Sequence, residues 1–177
     1  MKATLVLTLI GLDKPGLVKA ISNTAVRHGA NWEASRMARL GGRFAGLLLV
    51  TLEPARAEAL RRDLEGLSEL GLKVVVEQSA EVVPRQDWRT FKLELLGTDQ
   101  PGIMRKIANT LSERGINVDD LSTECTSAPM SGGDLFKMSA LLACPPSVAL
   151  DELQAELERV ANDLMVDISI APAGSAR

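Results

Sequence analysis

The chain opens with alternate apolar positions, Leu5, Leu7 and Leu9, the period-two signature of a strand that buries one face. After Pro15-Gly16 the apolar spacing lengthens to four, through Leu17, Ile21 and Ala25, which predicts an amphipathic helix stopped by Gly29. Two strands are expected next, roughly Trp32 to Arg39 and Phe44 to Glu53, joined by Gly41-Gly42, a pair able to take the positive φ of a tight hairpin. A second helix carries Leu60, Leu64 and Leu67, and a closing strand carries Leu72, Val74 and Val76.

The whole series then recurs. Gly11 to Asn31 aligns without gaps on Gly97 to Asn117, a constant shift of 86 residues with nine of 21 positions identical. The identities include Gly11/Gly97, Asp13/Asp99, Pro15/Pro101, Gly16/Gly102, Gly29/Gly115 and Asn31/Asn117. In the second copy, strands are expected on Phe91, Leu93 and Leu95, then at 118–125 and 135–144, and a last one on Val166, Ile168 and Ile170. Its helices carry Ile103, Ile107 and Leu111, then Leu153, Leu157, Val160 and Leu164. The second hairpin is lengthened by Ser127 to Gly133, a composition that suits a lid, a partner contact or a passive loop. Each copy therefore predicts the α+β, ferredoxin-like βαββαβ plan: two domains in tandem, each an antiparallel sheet with two helices on one face. The expected division is 1–83 for the first domain, 84–90 for a polar linker, 91–172 for the second domain and 173–177 for a frayed tail.

Composition narrows the partners. With 46% hydrophobic and 24% charged residues the chain has the balance of a soluble globular protein, and its net charge of -3 counts against a direct nucleic-acid partner. Lys2 before an apolar run imitates a secretion signal, but Asp13-Lys14 follow at once and the same pattern recurs deep in the chain at Phe91, so a strand is the better reading. No stretch is long enough to span a bilayer. A cytoplasmic protein is expected, with Cys125 and Cys144 as reduced thiols.

The distinctive chemistry lies where the first strand meets the first helix, at Asp13-Lys14-Pro15-Gly16 and Asp99-Gln100-Pro101-Gly102. Proline at the first helical position has a preset φ and no N–H to leave unpaired, and the glycine puts no side chain over the first turn. The bare N–H groups and the helix dipole suit a carboxylate, and the aspartate suits an ammonium group, so together they match the zwitterion of an amino acid. The same residues also describe a helix start with no ligand, the aspartate serving as N-cap. A ligand as small as glycine, with five heavy atoms, gains at most about 7.5 kcal/mol, near micromolar affinity. A valine at Gly16 or Gly102 is expected to cover the N–H groups and block binding with the fold intact.

A strand, then Gly-x-Asp-x-Pro-Gly, then an amphipathic helix ending in Gly-x-Asn, within the βαββαβ order, resembles the ACT domain family over nearly the whole chain. The resemblance implies a regulatory module that binds an amino acid or another small ligand at the first strand-to-helix loop, commonly where a neighbouring domain completes the pocket. It implies ligand contacts from Asp13, Lys14, Pro15, Gly16 and Leu17, and from Asp99, Gln100, Pro101, Gly102 and Ile103. It also places Asn31 and Asn117 where a further contact is often made; a turn residue after glycine is the other reading. Lys14 stands against Gln100 and Leu12 against Thr98, so two unequal sites are expected. The bare tandem pair, with Ser35 to Gly42 and Ser127 to Gly133, resembles more narrowly the glycine cleavage system transcriptional repressor group. That implies a non-enzymatic protein that responds to glycine or a similar amino acid and acts on a DNA-binding regulator. A homo-oligomer is expected.

Several rivals share parts of the pattern. A ligand-independent scaffold needs nothing further. An RNA-recognition module has the same strand order but stacks bases on exposed aromatics, and aromatics are 3% here with Tyr absent; Phe44 and Phe91 are expected in the core. A small ferredoxin-like hydrolase such as an acylphosphatase would want Arg in the first loop. His28, the single histidine, becomes Arg114 in the second copy and is expected on the surface near a helix end. No nucleophile–base pair and no metal-ligand spacing emerges, so no catalytic residue, metal or cofactor is expected. Trp32 and Trp88 read as packing or interface residues, and Arg61-Arg62-Asp63 as the wet face of a helix.

Overall fold

The computed structural model describes residues 2–79, 85–127 and 133–173. Residues 128–132 of the hairpin insert, residue 84 of the expected linker and residues 174–177 of the expected tail lie outside them. The chain divides into two compact units, Met1–Val82 and Val83–Arg177. The first runs β1 (Ala3–Leu12), α1 (Leu17–Arg27), β2 (Asn31–Leu40), β3 (Arg43–Leu52), α2 (Ala57–Glu65) and β4 (Leu72–Gln78). The second runs β5 (Arg89–Thr98), α3 (Ile103–Glu113), β6 (Asn117–Ser127), β7 (Asp134–Cys144), α4 (Leu150–Leu164) and β8 (Val166–Pro172). The 86-residue shift holds for the starts of the first three elements, Ala3/Arg89, Leu17/Ile103 and Asn31/Asn117. Strand β5 thus begins inside the stretch expected to be linker.

Each unit is an antiparallel four-stranded sheet, in the order β2-β3-β1-β4 and β6-β7-β5-β8. The alternation in β1 aims Leu5, Leu7 and Leu9 at one face, where Ile21 of α1 and Leu60 and Leu64 of α2 meet them. In the second unit Leu93 and Leu95 meet Ile107 of α3 and Leu153 and Leu157 of α4. Burying one such leucine contributes about 1.5–3 kcal/mol. Phe91 is buried and Phe44 packs against the first core, as their positions on the helix-covered face predict.

Helix α1 stops in a Schellman motif, with Gly29 N–H on the Val26 carbonyl and Ala30 N–H on the Ala25 carbonyl, and α3 repeats it through Gly115 and Ile116. Helix α2 is shorter than the Leu60–Leu64–Leu67 spacing predicts. It ends at Glu65, and a 3₁₀ stretch, Gly66–Leu70, carries Leu67 into the core. The tighter winding advances the chain about 2.0 Å per residue, which shortens the path to β4.

Asp63 lies on the exposed face of α2 as expected, whereas His28 is more buried than a surface position implies, and the two pair. His28 Nε2 lies 2.9 Å from Asp63 Oδ2, and only 16% of the histidine side chain is exposed. The pair clasps the end of α1 to α2. In the second unit Arg114 bonds Glu152 and Glu156 of α4 in the same role. Arg61, partly exposed, donates to the Val76 carbonyl, so two members of the expected wet face also hold α2 in place. Arg85 joins Asp119 at 2.7 Å and lies over the Trp88 ring, 5.1 Å from its centre, while Trp32 donates to the Ser35 hydroxyl. Cys125 is exposed and Cys144 buried, both as free thiols. Among the described residues no helix is long and apolar enough to cross a membrane.

Candidate ligand site

At the end of β1, Pro15 leads into Gly16 at φ 96°, ψ -5°, and at the end of β5 Pro101 leads into Gly102 at φ 100°, ψ -3°. These are the central residues of a type II turn, in which proline presets the first position and glycine supplies the positive φ of the second. The helices start at Leu17 and Ile103, with the glycines as N-caps. Proline therefore stands two residues ahead of the first helical residue rather than at it, because the turn takes the proline for itself. Nothing lies within 4 Å of a Cβ built on either glycine, so the corners are open, yet valine there is strained by the backbone whatever the space. A valine variant at either corner is therefore expected to lose stability as well as to cover the N–H groups.

The carbonyls of Gly16 and Gly102 accept the first intrahelical bonds, from Ala20 at 2.9 Å and Lys106 at 3.0 Å. The N–H groups of Leu17, Val18 and Lys19, and of Ile103, Met104 and Arg105, precede those donors and open the helix dipole toward the corner. Leu17 and Ile103 point their side chains into the cores, so they can offer a ligand only backbone. Lys14, Pro15 and Pro101 are exposed, and half-buried Gln100 donates to the Leu164 carbonyl at the end of α4.

Neither aspartate caps its helix. Asp13 Oδ2 pairs with Arg39 Nε at 2.9 Å, and its N–H bonds the Gly42 carbonyl at 3.0 Å, which fastens the corner to the β2–β3 hairpin. Asp99 is fastened alike, through Asp134 at 2.8 Å, but its carboxylate faces Cys125, the residue that the 86-residue shift sets in place of Arg39. Loss of some solvation, then the Asp99 and Asp134 carboxylates, push the exposed Cys125 thiol up. The first corner thus carries both signs of charge and the second carries acid and thiol. Arg39, Cys125 and Asp134 were missed in the sequence; each sits 26 residues or more beyond its corner and is brought back by the hairpin.

Asn31 and Asn117 lie elsewhere. Asn31 pairs with Thr51, which pairs with Thr4, whereas the corner follows Leu12. Eight residues of strand, about 26 Å, separate the two ends of the sheet. Each asparagine is occupied at a β-bulge: Asn31 donates to Glu33 at 2.8 Å and Asn117 to Asp119 at 2.6 Å. The Thr51 hydroxyl, then Asn31, hold the Glu33 carboxyl below its usual range. Within one unit the asparagine and the corner do not share a site. Two depressions also avoid the corners: about 510 Å³ beside Glu94, Lys137 and Asp167, and about 460 Å³ beside Val6, Arg36 and Leu47, both on sheet faces away from the helices. Among the described residues no group of three His, Cys, Asp or Glu side chains is placed to hold a metal.

The corner, the βαββαβ order and its repetition coincide with the two regions matched by the ACT domain family, residues 3–77 and 92–159. The chain belongs to the ACT domain family. An unknown protein from Galdieria sulphuraria superposes with a TM-score of 0.88 at 31% identity, covering 98% of this chain and 100% of that one. A structure provisionally named a glycine cleavage system transcriptional repressor superposes at 0.69 with 22% identity, over 97% of both chains, a likeness of fold. The phosphoserine phosphatase SerB2 of Mycobacterium tuberculosis is 26% identical over 99% of this ACT pair, which spans 42% of that enzyme's length.

Proposed function

We propose that this tandem ACT protein is a non-enzymatic regulator that binds a small amino acid, glycine or one of similar size, and passes the bound state to a DNA-binding partner of the glycine cleavage system. The observation that supports the reading is the first corner, where Asp13, paired with Arg39, stands four residues ahead of the uncapped start of α1 at Leu17. An entering zwitterion trades one ion pair for two: its carboxylate takes the N–H groups and Arg39, and its ammonium takes Asp13. The second corner has Cys125 for Arg39 and ties Gln100 to α4, which favours a weaker or different ligand there. Such binding shifts the population between partner-competent and incompetent states. A ligand-independent scaffold is the second reading, favoured by Asp13 and Asn31 having protein partners of their own.

Calorimetry with glycine, serine and larger amino acids tests the proposal on the wild type and on Asp13→Asn and Arg39→Gln. Saturable binding is expected, weakened about tenfold or more in either variant. At about 100 times its dissociation constant the ligand adds ~2.7 kcal/mol of stability, which a melting curve registers. Flat titrations to millimolar ligand together with unmoved melting curves overturn it in favour of the scaffold.

A further inference from the structure

The sheet faces turned away from the helices differ between the units at equivalent positions. Across the first sheet the strand register sets out three rows: Lys73–Ile10–Ala45–Ala38, Val75–Thr8–Leu47–Arg36 and Glu77–Val6–Leu49–Ala34. Ile10 is 48% exposed, Leu47 52% and Val75 44%. In the second unit the residues standing for Val6, Ala45, Leu47, Val75, Ala34 and Ala38 are Lys92, Lys137, Ser139, Ser169, Asp120 and Glu124. The fold itself accepts a polar face there, so the apolar one has another cause.

We propose that this face of the first sheet is a two-fold interface between two copies of the chain. A two-fold axis along the middle row lays each strand over its own copy, run the other way. Lys73 then meets the partner's Glu77, and Glu77 the partner's Lys73. Ile10 meets the partner's Val6, and Ala45 the partner's Leu49. Leu47 and Val75 pack on their own counterparts, and Arg36, at the end of the row on edge strand β2, comes opposite the partner's Arg36 at the rim of the contact. The outer rows are self-complementary in charge through Lys73 and Glu77, and the three rows are self-complementary in apolar area, as an isologous contact requires. Four strands about 4.8 Å apart and some eight residues long cover about 500 Å² per copy, or about 1,000 Å² buried together, the size at which specific interfaces begin.

Light scattering and sedimentation of the 177-residue chain over a range of concentrations test the proposal. A dimer of about twice the 19.0 kDa chain is expected, without added amino acid. Leu47→Ser with Val75→Ser imports the second unit's own residues, so the fold is kept, as circular dichroism verifies, and the dimer dissociation constant rises about a hundredfold. Lys73→Glu weakens the dimer about tenfold, and adding Glu77→Lys to it restores wild-type affinity to within about threefold. A monomer throughout overturns the proposal. So does a dimer indifferent to the serine pair, or a second charge reversal that fails to rescue the first.

Discussion

Gly11 and Gly16 belong to one short motif and are glycine for unrelated reasons. A Cβ on Gly11 would stand 2.6 Å from the Gly71 carbonyl oxygen, and one on Gly97 would stand 2.4 Å from Val166 Cγ1, so both mark where the central strand passes its neighbour closely. Gly16 and Gly102 are fixed by positive φ. The repeated Gly-x-Asp-x-Pro-Gly is therefore largely explained by folding, and the ligand argument rests on what differs beside it, Arg39 against Cys125. Pro-Gly signalled a type II turn from its letters, but the helical spacing just after it drew the proline into the helix. Gly16→Ala and Gly102→Ala are each expected to cost about 1–2 kcal/mol. Gly66→Ala, at φ -62° with open space around it, is expected to gain about 0.4–1 kcal/mol. Urea unfolding midpoints compare the three.

At the scale of elements, hydrophobic spacing located β1, α1, β3 and their copies because burial on one face of each dictates the period. It could not show which polar groups join those elements. His28 and Asp63 are 35 residues apart and meet because α1 and α2 pack side by side. The bond from His28 holds the Asp63 carboxyl below its ordinary value of 3.8. A carboxylate depressed in the folded state stabilises above its unfolded pKa, and that contribution is lost as pH falls through the lowered folded value. The wild type is therefore expected to lose more melting temperature on acidification to about pH 3 than Asp63→Asn does, read from thermal melts at stepped pH. The place of Asn31 was legible in principle. A helix that follows a strand returns the chain to the sheet's starting end, so an asparagine opening β2 stands far from the corner that closes β1.

For the whole molecule, the 86-residue shift made the tandem plan readable, since nine identities in 21 positions also fix matching element starts. The apolar open face was legible too, in Leu47-Leu48-Leu49-Val50, a run without the alternation of a half-covered strand. Because each unit has its own core, residues 1–84 and 85–177 expressed apart are each expected to give a cooperative melt and dispersed amide spectra, with the marginal stability of domains that size. Strands β2 and β6 lie at sheet edges, where unpaired backbone groups invite any extended chain to add on. The bulges at Glu33 and Asp119 break the spacing of those groups and plant a carboxylate beside them. One surplus residue in each of these two strands thus denies fibril-like growth a straight template along those two edges.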